Sequence, residues 1–165
     1  MSEILSYNIR KIRENDREWI RSLLIKEWGS PLIVTRGVLY QADSLLGFIA
    51  EVSEIKQGLL TYHMSDNECE IITLNSYVER HGIGSALINA IRKEASTLEC
   101  KRLWLITTND NVSAIRFYQK RGFALVAIHR NAVDQSRRLK PEIPFIGING
   151  IPIRDEIEIE LMLDQ

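Results

Sequence analysis

The amino-acid sequence predicts an α+β fold, built as a mixed, mostly antiparallel β-sheet with helices on both faces. Three observations carry that expectation. Gly47–Val52, Gln57–Met64 and Cys69–Tyr77 follow one another as strand candidates, parted only by Ser53-Glu54 and Ser65-Asp66-Asn67, turn-forming clusters short enough for hairpins. The hydrophobic period then changes: after Gly82-Ile83-Gly84, the apolar positions Leu87, Ile88, Ile91 and Ala95 mark one face of a helix. Towards the C-terminus, residues 156–161 alternate Glu and aliphatic residues without a break, the pattern of a half-buried strand.

The other elements follow in order. Tyr7–Ile12 alternates apolar and polar residues and reads as a strand. Asn15-Asp16 offers caps for a helix in which Trp19, Ile20, Leu23, Leu24 and Trp28 recur at helical spacing, ended by Gly29-Ser30-Pro31. Residues 31–45 are ambiguous, with Val38–Gln41 either a short strand or part of a loop. Leu103–Ile106 is a short apolar run that suits a strand covered on both faces. Val112, Ile115 and Tyr118 give a further helix, closed by Arg121-Gly122 with glycine in the favoured stop position, and Phe123–His129 gives a strand. Asn131–Asp155 reads as a long connection stiffened by Pro141, Pro144 and Pro152. No linker or repeat divides residues 1–165, so a single domain is expected.

The balance of 21 basic and 22 acidic residues leaves a net charge of −1, with no global field to gather nucleic acid or an acidic membrane. Strongly apolar runs such as Leu45–Ala50 fall far below the roughly 20 residues of a membrane helix. Met1-Ser2-Glu3 opens no signal-peptide pattern. Cys69 and Cys100 have no metal-ligand spacing around them, so reduced thiols, a cytoplasmic setting and no metal are expected. A local site must choose the partner.

The most informative segment is Glu79-Arg80-His81-Gly82-Ile83-Gly84-Ser85, between a strand and a helix. Main-chain N–H groups at a helix start lack intrahelical partners, and the helix dipole adds positive potential, so such a turn can hold phosphate. Arg80 adds a cation. The pattern lacks the Lys-Ser/Thr of a P-loop and the third glycine of a Rossmann fingerprint. Downstream lies Asn111-Val112-Ser113-Ala114-Ile115-Arg116-Phe117-Tyr118-Gln119-Lys120-Arg121-Gly122-Phe123.

Together the two segments resemble the GNAT acetyltransferase superfamily over residues 7–130. The resemblance implies acetyl-CoA as co-substrate, gripped at its pyrophosphate by Arg80, His81, Gly82, Ile83, Gly84 and Ser85. It implies Asn111 on the pantetheine arm or as a helix cap, and the main chain of Leu74 bonding the cofactor and polarising the acetyl carbonyl. Tyr118 falls at the position of the acid that protonates the leaving thiolate. Where the family turn begins with Arg or Gln, this chain has Glu79, which should repel the pyrophosphate unless it points outward. Transfer is expected by direct attack of an amine in a ternary complex.

A lysine-like amine of pKa about 10.4 costs roughly 4.6 kcal/mol to deprotonate at pH 7, so a base is needed. Glu68 and Glu70, two apart on one strand, project to the same face and are the candidates, with Glu70 favoured as nearer the thioester. His63 on the neighbouring strand could join the site, but a place at an edge or in the core is expected. Arg137, Arg138 and Lys140 form a basic cluster, either solvated or folded over the acceptor cleft to favour an acidic substrate group. The expected partner is a small-molecule or peptide amine, with acetylation of a protein N-terminus or lysine as an alternative. Open sheet edges and the long tail leave room for a homodimer, and Glu79 leaves room for a non-catalytic CoA-binding module.

Overall fold

The computed structural model describes residues 6–77 and 82–164. Among them, seven strands form one sheet in the order β1 (Tyr7–Lys11), β4 (Leu46–Val52), β5 (Ile55–Ser65), β6 (Glu68–Ser76), β7 (Arg102–Thr108), β9 (Glu156–Met162) and β8 (Ala124–His129). Neighbours are antiparallel except β6 and β7, which run parallel. A parallel pair needs a crossover, and α2 (Ile83–Thr97) supplies it. A separate hairpin, β2 (Leu32–Thr35) with β3 (Val38–Gln41), lies outside this sheet.

Two hydrophobic clusters cover the two faces. On one, Ile83, Leu87, Ile88 and Ile91 of α2 pack with Ala50, Leu60, Ile71 and Leu103, joined by Tyr118 of α3 (Val112–Gln119). On the other, Ile20, Leu23 and Leu24 of α1 (Arg17–Trp28) pack with Ile49 and Leu59. Adjacent residues such as Leu59 and Leu60 thus enter opposite clusters, as the period of a strand requires. Helices sit on both faces, and the sheet is mixed and mostly antiparallel, as the sequence predicts.

Two local expectations are corrected and one open reading is decided. Asp16 does not cap α1 with its side chain; it folds inward at 1% exposure. Residues 31–45 resolve into β2, β3 and a short 3-10 turn at Ala42–Ser44. The hairpin reverses through Arg36-Gly37, both at positive φ (47° and 76°). The connection after Asn131 contains a fourth helix, α4 (Ala132–Leu139), which buries Ala132, Val133 and Ser136. Among the described residues no helix is long and apolar enough to cross a membrane.

Candidate active site

The site begins where the sheet comes apart. β6 and β7 pair only from Glu68↔Arg102 to Ile71↔Leu105, yet both continue, β6 against β5 and β7 against β9. A register irregularity sits at that point: Thr61 faces Thr73 and Tyr62 faces Ile71, so Ile72 is an extra residue on β6. Bulges bend the bulged strand and end pairing. Beyond it, Tyr77 N donates to Gln57 O at 2.8 Å, which turns the polar main-chain groups of Tyr77 and Asn75 towards β5. By alternation, the N–H and C=O of Leu74 face the gap. A slot between two parallel strands results, edged by main-chain donors and acceptors.

Helix α2 starts beside this slot. Gly82 is its N-cap at φ 75°, a conformation that suits glycine, with nothing within 4 Å of where a Cβ would stand. The first intrahelical bond is Ala86 N to Gly82 O at 2.9 Å, so the N–H groups of Ile83, Gly84 and Ser85 precede the ladder. The Ile83 side chain is buried in the core, so only its amide faces outward from the fold. Gly84 serves packing: a Cβ there would lie 3.1 Å from the ring of Phe117. The turn also has a cation, from the Arg121-Gly122 segment that stops α3 as expected. Arg121 stacks 3.5 Å from the Phe117 ring centre, and its Nε donates to Ser85 Oγ at 2.8 Å. Phe117 and Arg121 are four apart across the end of α3, a spacing present in the sequence. Glu79, Arg80 and His81 lie outside the described residues.

Tyr118 lies in the cluster on the α2 face, 6% exposed, edge-on to Phe117 and Phe123 with ring centres 5.1 and 5.2 Å away. Burial pushes its hydroxyl well above the ordinary tyrosine range, so it holds its proton at neutral pH. Asn111 caps α3, its Oδ1 accepting from Ala114 N at 3.2 Å.

Glu70 lies on the opposite face, since Cys69 and Ile71 on either side of it belong to the α2 cluster. It is 5% exposed and accepts the Thr35 hydroxyl at 2.6 Å. Burial raises its pKa to about 7; bonds from Thr35 and Tyr40 oppose the rise, and Glu156 and Glu158 add to it. Glu156, also buried, accepts from Arg36 N at 3.1 Å and Ser136 Oγ at 3.0 Å. Consecutive residues at the hairpin tip are therefore clipped to two carboxylates of the sheet. Glu68 shares the face, as expected, but pairs with Arg102 at 3.2 Å, which also bonds Glu158 and Glu160 at 2.8 Å. His63 faces Glu70 across the strands and contacts Tyr40 at 5.1 Å. It lines the same cavity of about 400 Å³ as Glu68 and Glu70, which corrects its expected place at an edge or in the core.

A family model described as the acetyltransferase (GNAT) family matches residues 7–123. The chain belongs to the GNAT acetyltransferase family. It is 45% identical over 150 residues to the uncharacterized protein YdhI of Bacillus subtilis, covering 90% of this chain and 93% of that one. Among solved structures it resembles an IAA acetyltransferase from Bacillus cereus (TM-score 0.74, 24% identity, 96% of this chain and 100% of that one). It also resembles a Bacillus subtilis acetyltransferase solved in complex with CoA (TM-score 0.69, 18% identity, 97% and 99%).

In this GNAT chain the face carrying Glu70 is roofed by α1, the β2–β3 hairpin and the segment after α4. Two adjoining cavities, about 490 and 330 Å³, share Glu27, Trp28, Thr108, Pro144 and Ile153. The larger reaches Asn75 on β6 and Asn111 at the start of α3, so the cleft opens onto the slot. The basic cluster divides. Arg137 is spent on the fold, donating to the carbonyls of Ile143, Pro144 and Ile153 and stacking on Phe145. Arg138 is exposed, and Lys140 lines the smaller cavity.

Proposed function

We propose that this GNAT acetyltransferase moves an acetyl group from acetyl-CoA directly onto a primary amine. One observation carries the reading. The slot between β6 and β7 joins two half-sites, with the free amides of α2 and Tyr118 on one face and the buried carboxylate of Glu70 on the other.

The N–H groups of Ile83, Gly84 and Ser85, aided by Arg121, would receive the pyrophosphate, as oriented donors at a helix start do. Asn111 would add a contact to the pantetheine arm. The acyl end would enter the slot, where the Leu74 main chain bonds the carbonyl. Glu70, through water, takes a proton from the amine; the nitrogen lone pair then forms the C–N bond. Negative charge gathers on the carbonyl oxygen, opposite the Leu74 N–H. As the C–S bond breaks, the nitrogen loses its second proton to water, and the Tyr118 hydroxyl gives its proton to the thiolate and regains one from solvent. Amide and free thiol are the products.

Incubation with acetyl-CoA and a panel of amines, following thiol release and acetyl gain on the acceptor, tests the reading. CoA binding with no transfer to any acceptor would favour a regulatory module instead. Tyr118→Phe should lower kcat by about 10²-fold with KM for acetyl-CoA unchanged, the loss of a general acid. Unchanged turnover would remove Tyr118 from the chemistry. Arg121→Met keeps the length over Phe117 but not the charge; the KM for acetyl-CoA should rise about tenfold, the worth of a charge-assisted contact. An unmoved KM would confine Arg121 to packing.

A further inference from the structure

Lys140 is the one charged side chain of the described cleft-lining residues that is buried, at 8% exposure; Glu27 and Glu142 are exposed at the rim and Asp110 is half-buried. Its ammonium donates to Leu32 O at 2.9 Å and at 3.5 Å to Trp28 O. No carboxylate of the described residues forms an ion pair with it. An ammonium carries three donors, so one N–H is left towards the cavity. Burying a cation is costly: desolvation lowers the Lys140 pKa, and the charge of Glu142 at the cavity rim opposes that only in part. The walls around it are apolar: Trp28, Ile33, Val34, Ile143 and Ile153. Thr108, on β7 beyond the point where it leaves β6, lines the same cavity.

We propose that Lys140 is the specificity-determining residue of the acceptor cleft, and that the preferred acceptor is a small apolar amine bearing a carboxylate, as an apolar amino acid does. The inference rests on the transferase reading above and adds the substrate class to it. The carboxylate supplies the direct ion pair that no described residue gives Lys140, the apolar part lies between Trp28, Ile33 and Ile143, and the amine points to Asn75 and Thr108. One ammonium matches a singly charged carboxylate better than a phosphate dianion. The cavity of about 330 Å³ is at the small end of ligand pockets, which suits a single amino acid. The competing account is structural: Trp28 ends α1, and a cation at a helix C-terminus is stabilising in its own right.

The two accounts separate in matched acceptors. Leucine, leucinamide and isoamylamine, with the phenylalanine series beside them, share a skeleton and differ in the carboxylate. The parent enzyme should prefer the amino acids by about tenfold or more in kcat/KM. Lys140→Met should erase that preference through KM while turnover of the amines stays at the parental level, and Lys140→Arg should keep part of it. No preference in the parent, or equal losses on all acceptors in Lys140→Met, overturns the proposal and leaves acetyl transfer intact. If no acceptor is turned over, calorimetry with N-acetylleucine and N-isoamylacetamide decides without catalysis. Tighter binding of the carboxylate that is lost in Lys140→Met upholds the assignment, and equal or absent binding of both overturns it.

Discussion

Replacing Glu70 with glutamine should lower kcat by about 10²- to 10⁴-fold, the worth of a positioned general base, and leave acetyl-CoA binding at the parental level. Glutamine keeps the shape and still accepts the Thr35 hydroxyl, so the hairpin tip stays clipped. In the parent, a base must be ionised to act. With the Glu70 pKa raised to about 7 by burial, kcat/KM should climb with pH through that value and level off above it. In Glu70→Gln that limb should vanish. A variant with parental kcat and the same profile would return the base role to Glu68 or to water. Glu68 is the weaker competitor, since Arg102 already compensates its charge.

The same substitution has an opposite effect on stability. A carboxyl whose folded pKa is raised gives stability that is complete below its unfolded pKa, near 4.3, and is lost as pH rises through the folded value. At pH 8 the parent therefore carries an ionised, buried carboxylate that pairs with no cation among the described residues. Glu70→Gln removes that burden, so its Tm at pH 8 should equal or exceed the parental one. Function and stability pull apart here, as they do where an active site is held in an unfavourable state.

What could be read from the sequence was local. Hydrophobic periods located α1, α2, α3 and the seven strands of the sheet, because one-sided burial writes a period of two or 3.6 into the chain. His63 could have been placed as well: Asp66 and Asn67, both at positive φ, form a two-residue turn, and counting back from it sets His63 opposite Glu70. The β2–β3 hairpin hid because its turn is Arg36-Gly37, where Asn-Gly or Asp-Gly is the usual signal. Helix α4 hid because Ala132–Leu139 is short, largely polar and without a side-chain cap; its place is fixed by Arg137 on distant carbonyls. Carbonyls carry no sequence identity, so such partners leave no mark in the residues around them. The slot itself depends on one extra residue in β6, and composition does not record register.

Asp16→Ala should cost about 3–5 kcal/mol of stability, the effect of leaving buried partners unpaired. Asp16 looks like a helix cap in sequence, yet its carboxylate takes Arg10 at 2.8 and 2.9 Å, Lys56 at 3.0 Å and the Arg13 N–H at 2.6 Å. These contacts join β1, the start of β5 and the entry to α1, whose Glu27 and Trp28 line the two adjoining cavities. Hydrogen bonding from Arg10 holds the Asp16 carboxyl well below the usual carboxylate range. A depressed folded pKa contributes stability that is present above the unfolded value, near 3.9, and is lost as pH falls below it. The parent should therefore lose stability steeply below about pH 4. Asp16→Ala should start lower at pH 7, by roughly 6–15 °C in Tm, and show a shallower acid slope. Glu14→Ala serves as the contrast: Glu14 pairs with Arg17 at 3.8 Å while its side chain is 95% exposed, and removing it should change stability by less than about 1 kcal/mol. Equal effects of the two substitutions would mean that Asp16 acts as a surface charge, and the β1–α1 corner would need another anchor.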